Sequence, residues 1–202
     1  MLTLRKIVVT GGLSSGKTTV CSIFKDLGAY VVSADTIVHH LLSPDTDCGQ
    51  QVIRLLGPSI VIDHKLNRKK IAESVFSDPE KLKKLEDILH PAVFEEIERQ
   101  YIFQNNKKHK PSLFVAEIPL FYETTHSHHY DAVICVTADS AICRRRFASG
   151  KNRTFAEFDS RMKRQMDLQE KEIQATYVLQ NNGNLIELTE KTKKLYSLLT
   201  ST

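Results

Sequence analysis

The stretch Ile7-Val8-Val9-Thr10-Gly11-Gly12-Leu13-Ser14-Ser15-Gly16-Lys17-Thr18-Thr19 runs from a β-branched segment through glycines into an apolar-periodic segment. Gly11, four residues and then Gly16-Lys17-Thr18 is the spacing of a phosphate-binding loop. Glycines let the backbone curl round an anion with its N–H groups turned inward. The helix that follows presents its positive end to the same anion. Lys17 reaches the β- and γ-phosphates of a nucleotide, and the Thr18 hydroxyl is the candidate Mg²⁺ ligand. Gly11, Gly12, Ser14, Ser15, Gly16, Lys17, Thr18 and Thr19 are therefore the candidate nucleotide-binding residues.

Outward from this stretch, the apolar positions Val20, Ile23, Phe24 and Leu27 recur at helical spacing, and Gly28 stops the helix. Ala29–Ser33 reads as a second strand with Asp35 just past its end. Strand–helix–strand implies a parallel sheet, in which ligands bind beyond the carboxyl ends of the strands. Asp35 is thereby a candidate site residue, although it suits a helix N-cap as well. Ser112–Ile118, Ala132–Thr137 and Tyr177–Leu179 complete about five strands. Glu117 stands where a phosphate-loop protein often carries an acid that positions Mg²⁺.

Residues 36–110 read as helical, with a long stripe from Leu82 through Leu85, Leu89, Val93 and Ile97 to Tyr101. Pro91 predicts a kink or break near His90. After Thr137 come Arg144, Arg145, Arg146, Lys151 and Arg153, a basic cluster that suits either a solvated face or a lid over the transferring phosphate. Thr154-Phe155-Ala156-Glu157 is a capping box, and the helix it opens is expected to run past Gln165. The crowded His126-Ser127-His128-His129 lacks matching ligands elsewhere and is not read as a metal site.

The expected fold class is α/β: a three-layer α/β/α core of the P-loop NTPase type on a parallel sheet, with a helical substrate-binding insertion and a lid. The nucleotide-binding core would take residues 1–35, 111–138 and 175–202, the insertion 36–110, and the lid with its following helix 139–174. The 202 residues are 41% hydrophobic and 26% charged, enough for one sizeable core. A net charge of +4, with acids and bases interspersed, gives little reason to expect nucleic acid as a partner. Cys21, Cys48, Cys135 and Cys143 form no C-x-x-C pair, which favours a reducing, cytoplasmic setting. The N-terminus enters the first strand without a signal peptide, and no apolar run approaches the ~20 residues needed to span a bilayer. Neither a membrane partner nor a large assembly is expected; the chain reads as a monomer or weak homo-oligomer.

Three classes share a phosphate loop. A GTPase needs Asn-Lys-x-Asp, and Asn106-Lys107-Lys108-His109 lacks the carboxylate. A motor needs more chain. A small-molecule kinase uses every feature: core, acceptor insertion and basic lid, with Asp35 orienting or deprotonating the acceptor hydroxyl.

Further positions sharpen this class. Thr10-Gly11-Gly12 leads into Gly16-Lys17-Thr18-Thr19, and Gly28 precedes the strand ending Ala34-Asp35. Leu66-Asn67-Arg68, Phe76-x-Asp78-Pro79, Leu89-His90-Pro91, Pro119-Leu120-x-x-Glu123, Arg146, Gln165, Lys171 and Asn182-Gly183 follow in order. Over nearly its full length the chain resembles the dephospho-coenzyme A kinase family. The resemblance implies ATP and Mg²⁺, and transfer of the γ-phosphoryl group to the 3′-hydroxyl of dephospho-coenzyme A; a nucleoside monophosphate kinase is the alternative. It also implies roles: Asp35 as base, Arg146 as a lid contact to phosphate, and Asn182-Gly183 near the adenine. Asp35, His39, Asn67, His90, Pro119 and Leu120 would bind the acceptor. The chain departs from the family pattern at Ser14, where glycine is usual, at Ser33 and Thr176, where Asp is frequent, and at His39, often Arg. Gly150 takes the place of a second lid arginine, leaving Lys151 and Arg153 as substitutes.

Overall fold

The computed structural model describes residues 4–76, 78–124, 128–150, 153–163 and 165–201. Its elements in chain order are β1 (Lys6–Gly11), α1 (Lys17–Asp26), β2 (Tyr30–Ser33), α2 (Ala34–Leu41), α3 (Asp47–Leu56), β3 (Val61–Ile62), β4 (Lys65–Leu66) and α4 (Arg68–Phe76). There follow α5 (Pro79–Asn105), β5 (Phe114–Glu117), β6 (Ala132–Thr137), α6 (Ser140–Ala148), α7 (Phe155–Met162), α8 (Leu168–Gln174), β7 (Tyr177–Gln180) and α9 (Leu185–Thr200). They divide into two units: Met1–Ser33 with Tyr101–Thr202, and Ala34–Gln100.

Among the described residues of the first unit, five strands pair in the order β2-β5-β1-β6-β7, every pairing parallel. The apolar runs anticipate this, since parallel strands are covered on both faces. All six residues of β1 are buried. Ile7 and Val9 of β1, Val20 and Phe24 of α1, and Leu188 and Leu199 of α9 share one core. Each such side chain contributes ~1.5–3 kcal/mol by leaving water. This packing puts the N-terminus of α1 beyond the carboxyl end of β1. There β1 lies between β5 and β6, the place where an open α/β sheet binds its ligand.

The second unit has its own core, centred on Val52, Ile60, Leu66, Ile71, Val75 and Leu85. Thr46 caps α3, its Oγ1 accepting from Gly49 N at 2.9 Å. Asp78 Oδ1 accepts from Lys81 N at 3.0 Å at the start of α5.

Three expectations need correction. Residues 36–110 are not all helical: β3 and β4 form an antiparallel hairpin. Asp63 (φ 47°) and His64 (φ 58°) make its turn, both in the left-handed region that suits the twist of a two-residue hairpin. Next, of the kink or break expected near His90, the break does not occur: α5 runs through Pro91 as one helix. Buried Val93, Phe94 and Ile97 hold the helix together where proline removes a single backbone bond. Lastly, the helix opened by Thr154 ends at Met162 instead of passing Gln165. Beyond it Met166 N donates to Glu123 Oε1, and Asp167 caps a new helix, α8.

His126, Ser127 and Lys151 lie outside the described residues. Among the described residues no group of His, Cys, Asp and Glu could hold a metal ion by itself. No helix there is long and apolar enough to cross a membrane.

Candidate active site

Gly11 ends β1 opposite Val136. Its φ is 132°, and a Cβ there would stand 2.0 Å from Val136 O. Only glycine lets the chain turn so close to the neighbouring strand. Gly16, φ 106°, then begins α1 with no side-chain cap and no acid in the first turn. Helices α3, α7, α8 and α9 each have a side chain accepting from a first-turn N–H. The chain thus leaves the positive end of α1 uncompensated, which suits an anion.

Ser14, Gly16, Lys17, Thr18 and Thr19 line a cavity of about 370 Å³, with Arg146, Asn181, Gly183, Asn184, Leu185 and Leu188 opposite. Lys17 is 8% exposed. Its Nζ donates to Gly12 O at 2.7 Å and Gly11 O at 3.2 Å. These carbonyls hold the ammonium at the loop. Thr18 Oγ1 donates to Glu117 Oε1 at 2.7 Å. A hydroxyl beside a carboxylate is a hard-oxygen pair that fits Mg²⁺, an ion commonly held by one or two protein oxygens plus phosphates and water.

Lys17 and Glu117 also mark the buried thiols. Burial pushes the Cys21 thiol well up; the Glu117 carboxylate adds to this and the Lys17 ammonium opposes it. Burial likewise raises Cys135 to about 11, helped by Glu172 and opposed by Lys171 and Lys17.

The family model described as "Dephospho-CoA kinase" matches residues 5–187 of this chain. The chain belongs to the dephospho-CoA kinase family. A protein of that name from Protochlamydia amoebophila is 49% identical over 199 residues, covering 98% of each chain. Another, from Chlamydia trachomatis serovar D, is 44% identical over 202 residues and covers all of both. A crystal structure from Thermus thermophilus superposes with a TM-score of 0.81 at 29% identity, over 98% of this chain and 100% of that one.

Within this dephospho-CoA kinase fold the basic cluster separates into distinct jobs. Arg146 lines the cavity, and its Nη1 donates to Asn181 O at 3.2 Å. Arg144 instead ties α6 to α7 through Asp159, at 3.1 and 2.8 Å. Arg153 lies over the Phe147 ring, 5.0 Å from its centroid.

Of the loop candidates, Ser15 is fully buried, and Gly11 and Gly12 are outside the lining of this cavity. Asn182 is also outside it: its side chain bonds Asp139 N at 2.8 Å and Asp139 Oδ1 at 2.7 Å. Gly183 is part of the lining. The residue that sequence reading passed over is Asn181. Its Nδ2 donates to Ser15 O at 2.7 Å, so the residue that follows β7 braces the phosphate loop. A Cβ on Gly16 would come within 2.3 Å of that nitrogen. The signal in the sequence was an asparagine directly before Asn182-Gly183, absorbed into a turn.

In the second unit, Asp35 is in the first turn of α2, and so is not its N-cap. Arg68 Nη2 donates to His39 Nδ1. Asn67 Oδ1 accepts from Lys70 N at 3.1 Å, a cap for α4. His90 is within α5 and half-buried. In the first unit, Pro119 O accepts from Thr10 Oγ1 at 3.2 Å, and Leu120 is 37% exposed.

Proposed function

We propose that this chain transfers the γ-phosphoryl group of ATP to the 3′-hydroxyl of dephospho-coenzyme A, giving coenzyme A and ADP. The observation that carries the reading is the cavity in which an uncapped α1, Lys17 and Arg146 converge, in a chain of this family. Such an arrangement neutralises charge on phosphate oxygens, which is most of what phosphoryl transfer asks of a protein.

In this reading Ser14–Thr19 hold the triphosphate and Gly183 and Leu185 adjoin the adenine. Thr18 and Glu117 hold Mg²⁺, which when bound spreads and neutralises the charge of the phosphates. Lys17 and Arg146 contact the transferring group, and Arg146 leaves the Asn181 carbonyl to do so. Helices α6 and α7 form the lid. Asp35 accepts the acceptor's hydroxyl proton; the chain supports this by placing it two residues past the carboxyl end of β2. The Ala34–Gln100 unit carries the acceptor candidates His39, Asn67 and His90; in the sheet unit the candidates are Pro119 and Leu120, in the loop after β5. The buried, unpaired thiols accord with a reducing cytoplasm.

The test is ATP consumption with dephospho-coenzyme A beside AMP, adenosine and shikimate. Dephospho-coenzyme A should be turned over with a kcat/KM at least ~10²-fold above the others. Turnover of AMP alone would make the chain a nucleoside monophosphate kinase and end this reading.

A further inference from the structure

Lys171 is 1% exposed, although it is a lysine in a helix of seven residues. Its Nζ forms an ion pair with Glu123 Oε1 at 2.6 Å and donates to Pro119 O at 3.4 Å. The same carboxylate oxygen accepts from Met166 N at 2.9 Å. Glu123 Oε2 is buried and has no hydrogen-bond partner. Thr10, the residue before the phosphate loop, shares the Pro119 carbonyl through its Oγ1. The pair of buried Lys171 and mostly buried Glu123, side chains 1% and 16% exposed, therefore fastens the turn after β5, the connection before α8 and α8 itself.

Stability is a poor reason to keep such a pair. Desolvating two charges roughly cancels their attraction, and apolar replacements of similar volume are often as stable. An orphaned carboxylate oxygen adds to the cost. What the pair does provide is a fixed position for α8. That helix packs on β1 and β6, and its first residue lies against the loop: a Cβ on Gly12 would be 3.6 Å from Leu168 Cδ1. The carbonyls of Gly11 and Gly12 are the ones that hold Lys17 Nζ.

We propose that Glu123 and Lys171 are positioning residues for phosphoryl transfer: they set α8, Leu168 backs the leading edge of the loop, and the loop carbonyls aim Lys17. Neither residue lines the cavity at the phosphate loop. The inference rests on the phosphotransferase reading above. It also specifies which part of the loop is affected. The leading edge, Gly11–Leu13, shifts, whereas the α1 N-terminus is braced separately by Asn181.

The test uses the double variant Glu123→Gln/Lys171→Met, which leaves no buried charge unpaired, and Leu168→Ala. Binding of ATP and ADP is measured by calorimetry, turnover by the coupled assay, and folding by thermal melting. For both variants kcat should fall ~10-fold or more and ATP should bind ~5-fold or more weakly, with ADP affinity held within about threefold, because loss of loop register strikes the γ-phosphate. Combining the variants should lower kcat no further than the larger single effect, since both act on Gly12. Unchanged kcat and an unchanged ATP-to-ADP affinity ratio would overturn the proposal and leave the pair structural. So would an equal loss of both nucleotides alongside a collapsed melting transition. The affinity ratio needs no acceptor, so an enzyme inactive on dephospho-coenzyme A would sink the substrate reading and still leave the positioning role testable.

Discussion

Ser14 holds φ at 58°, a left-handed conformation that costs a residue with a Cβ ~1–2 kcal/mol. Glycine would adopt it freely but loses ~0.5–1 kcal/mol more entropy on folding. The two nearly cancel. Ser14→Gly should therefore change unfolding free energy by less than ~1 kcal/mol and turnover by only a few-fold. A larger loss in urea titration would mean that the serine hydroxyl has a role of its own. Asp35→Asn is the opposite case. It should leave ATP affinity intact and slow transfer roughly 10²–10⁴-fold; a rate near wild type would remove Asp35 from the base role. At this scale the sequence was most readable where chemistry and spacing coincide, as in Gly16-Lys17-Thr18. It was least readable where a side chain bonds a distant carbonyl. Asn181 reaches Ser15 across 166 positions, and nothing local distinguishes it from any asparagine in a turn.

Among the elements, strands were easier to read than helix ends. Continuous apolar runs located β1 and β6, because burial on both faces leaves no polar phase to misread. Helix ends depended on partners elsewhere. The Thr154 cap was legible, and its Oγ1 accepts from Glu157 N at 3.2 Å. The end at Met162 was not, because Glu123, far along the chain, captures the Met166 N–H. The hairpin between α3 and α4 rests on Asp63 and His64 at positive φ; both types are enriched there, but without a glycine the pair is a weak hairpin signal. Strand β6 offers a test of burial. Cys135 has its thiol pushed up to about 11, above its ordinary value of 9.0. A folded-state pKa above the unfolded one favours the neutral form, so this contribution is complete below pH 9 and is lost as pH rises through about 11. Melting temperatures of wild type and Cys135→Ala, compared from pH 8 to 11, should converge as pH rises. Parallel curves would show that folding does not raise the thiol's pKa.

At the scale of the whole molecule, the sheet unit and the Ala34–Gln100 unit each have a core of their own. The cavity at the phosphate loop, proposed above to take the nucleotide, is built wholly within the sheet unit. MgATP should then stabilise the protein by ~2.7 kcal/mol at a hundred times its Kd. Lys17→Ala should reduce that shift by more than half, measured as a thermal shift against ATP concentration. An undiminished shift would place the triphosphate away from Lys17. In hydrogen exchange, protection by ATP should appear at residues 11–19 and 181–185.

The bare N-terminus of α1 has a practical consequence. A cradle shaped for phosphoryl oxygens does not distinguish a nucleotide from the small tetrahedral anions of a buffer. Sulfate or inorganic phosphate at tens of millimolar should raise the melting temperature of the nucleotide-free enzyme and, in kinetics, act as a competitor of ATP with kcat unchanged. The apparent KM for ATP should thus be higher in phosphate buffer than in a zwitterionic buffer of the same pH and ionic strength. An identical KM in the two media would mean that the cradle takes its form only when a nucleotide arrives.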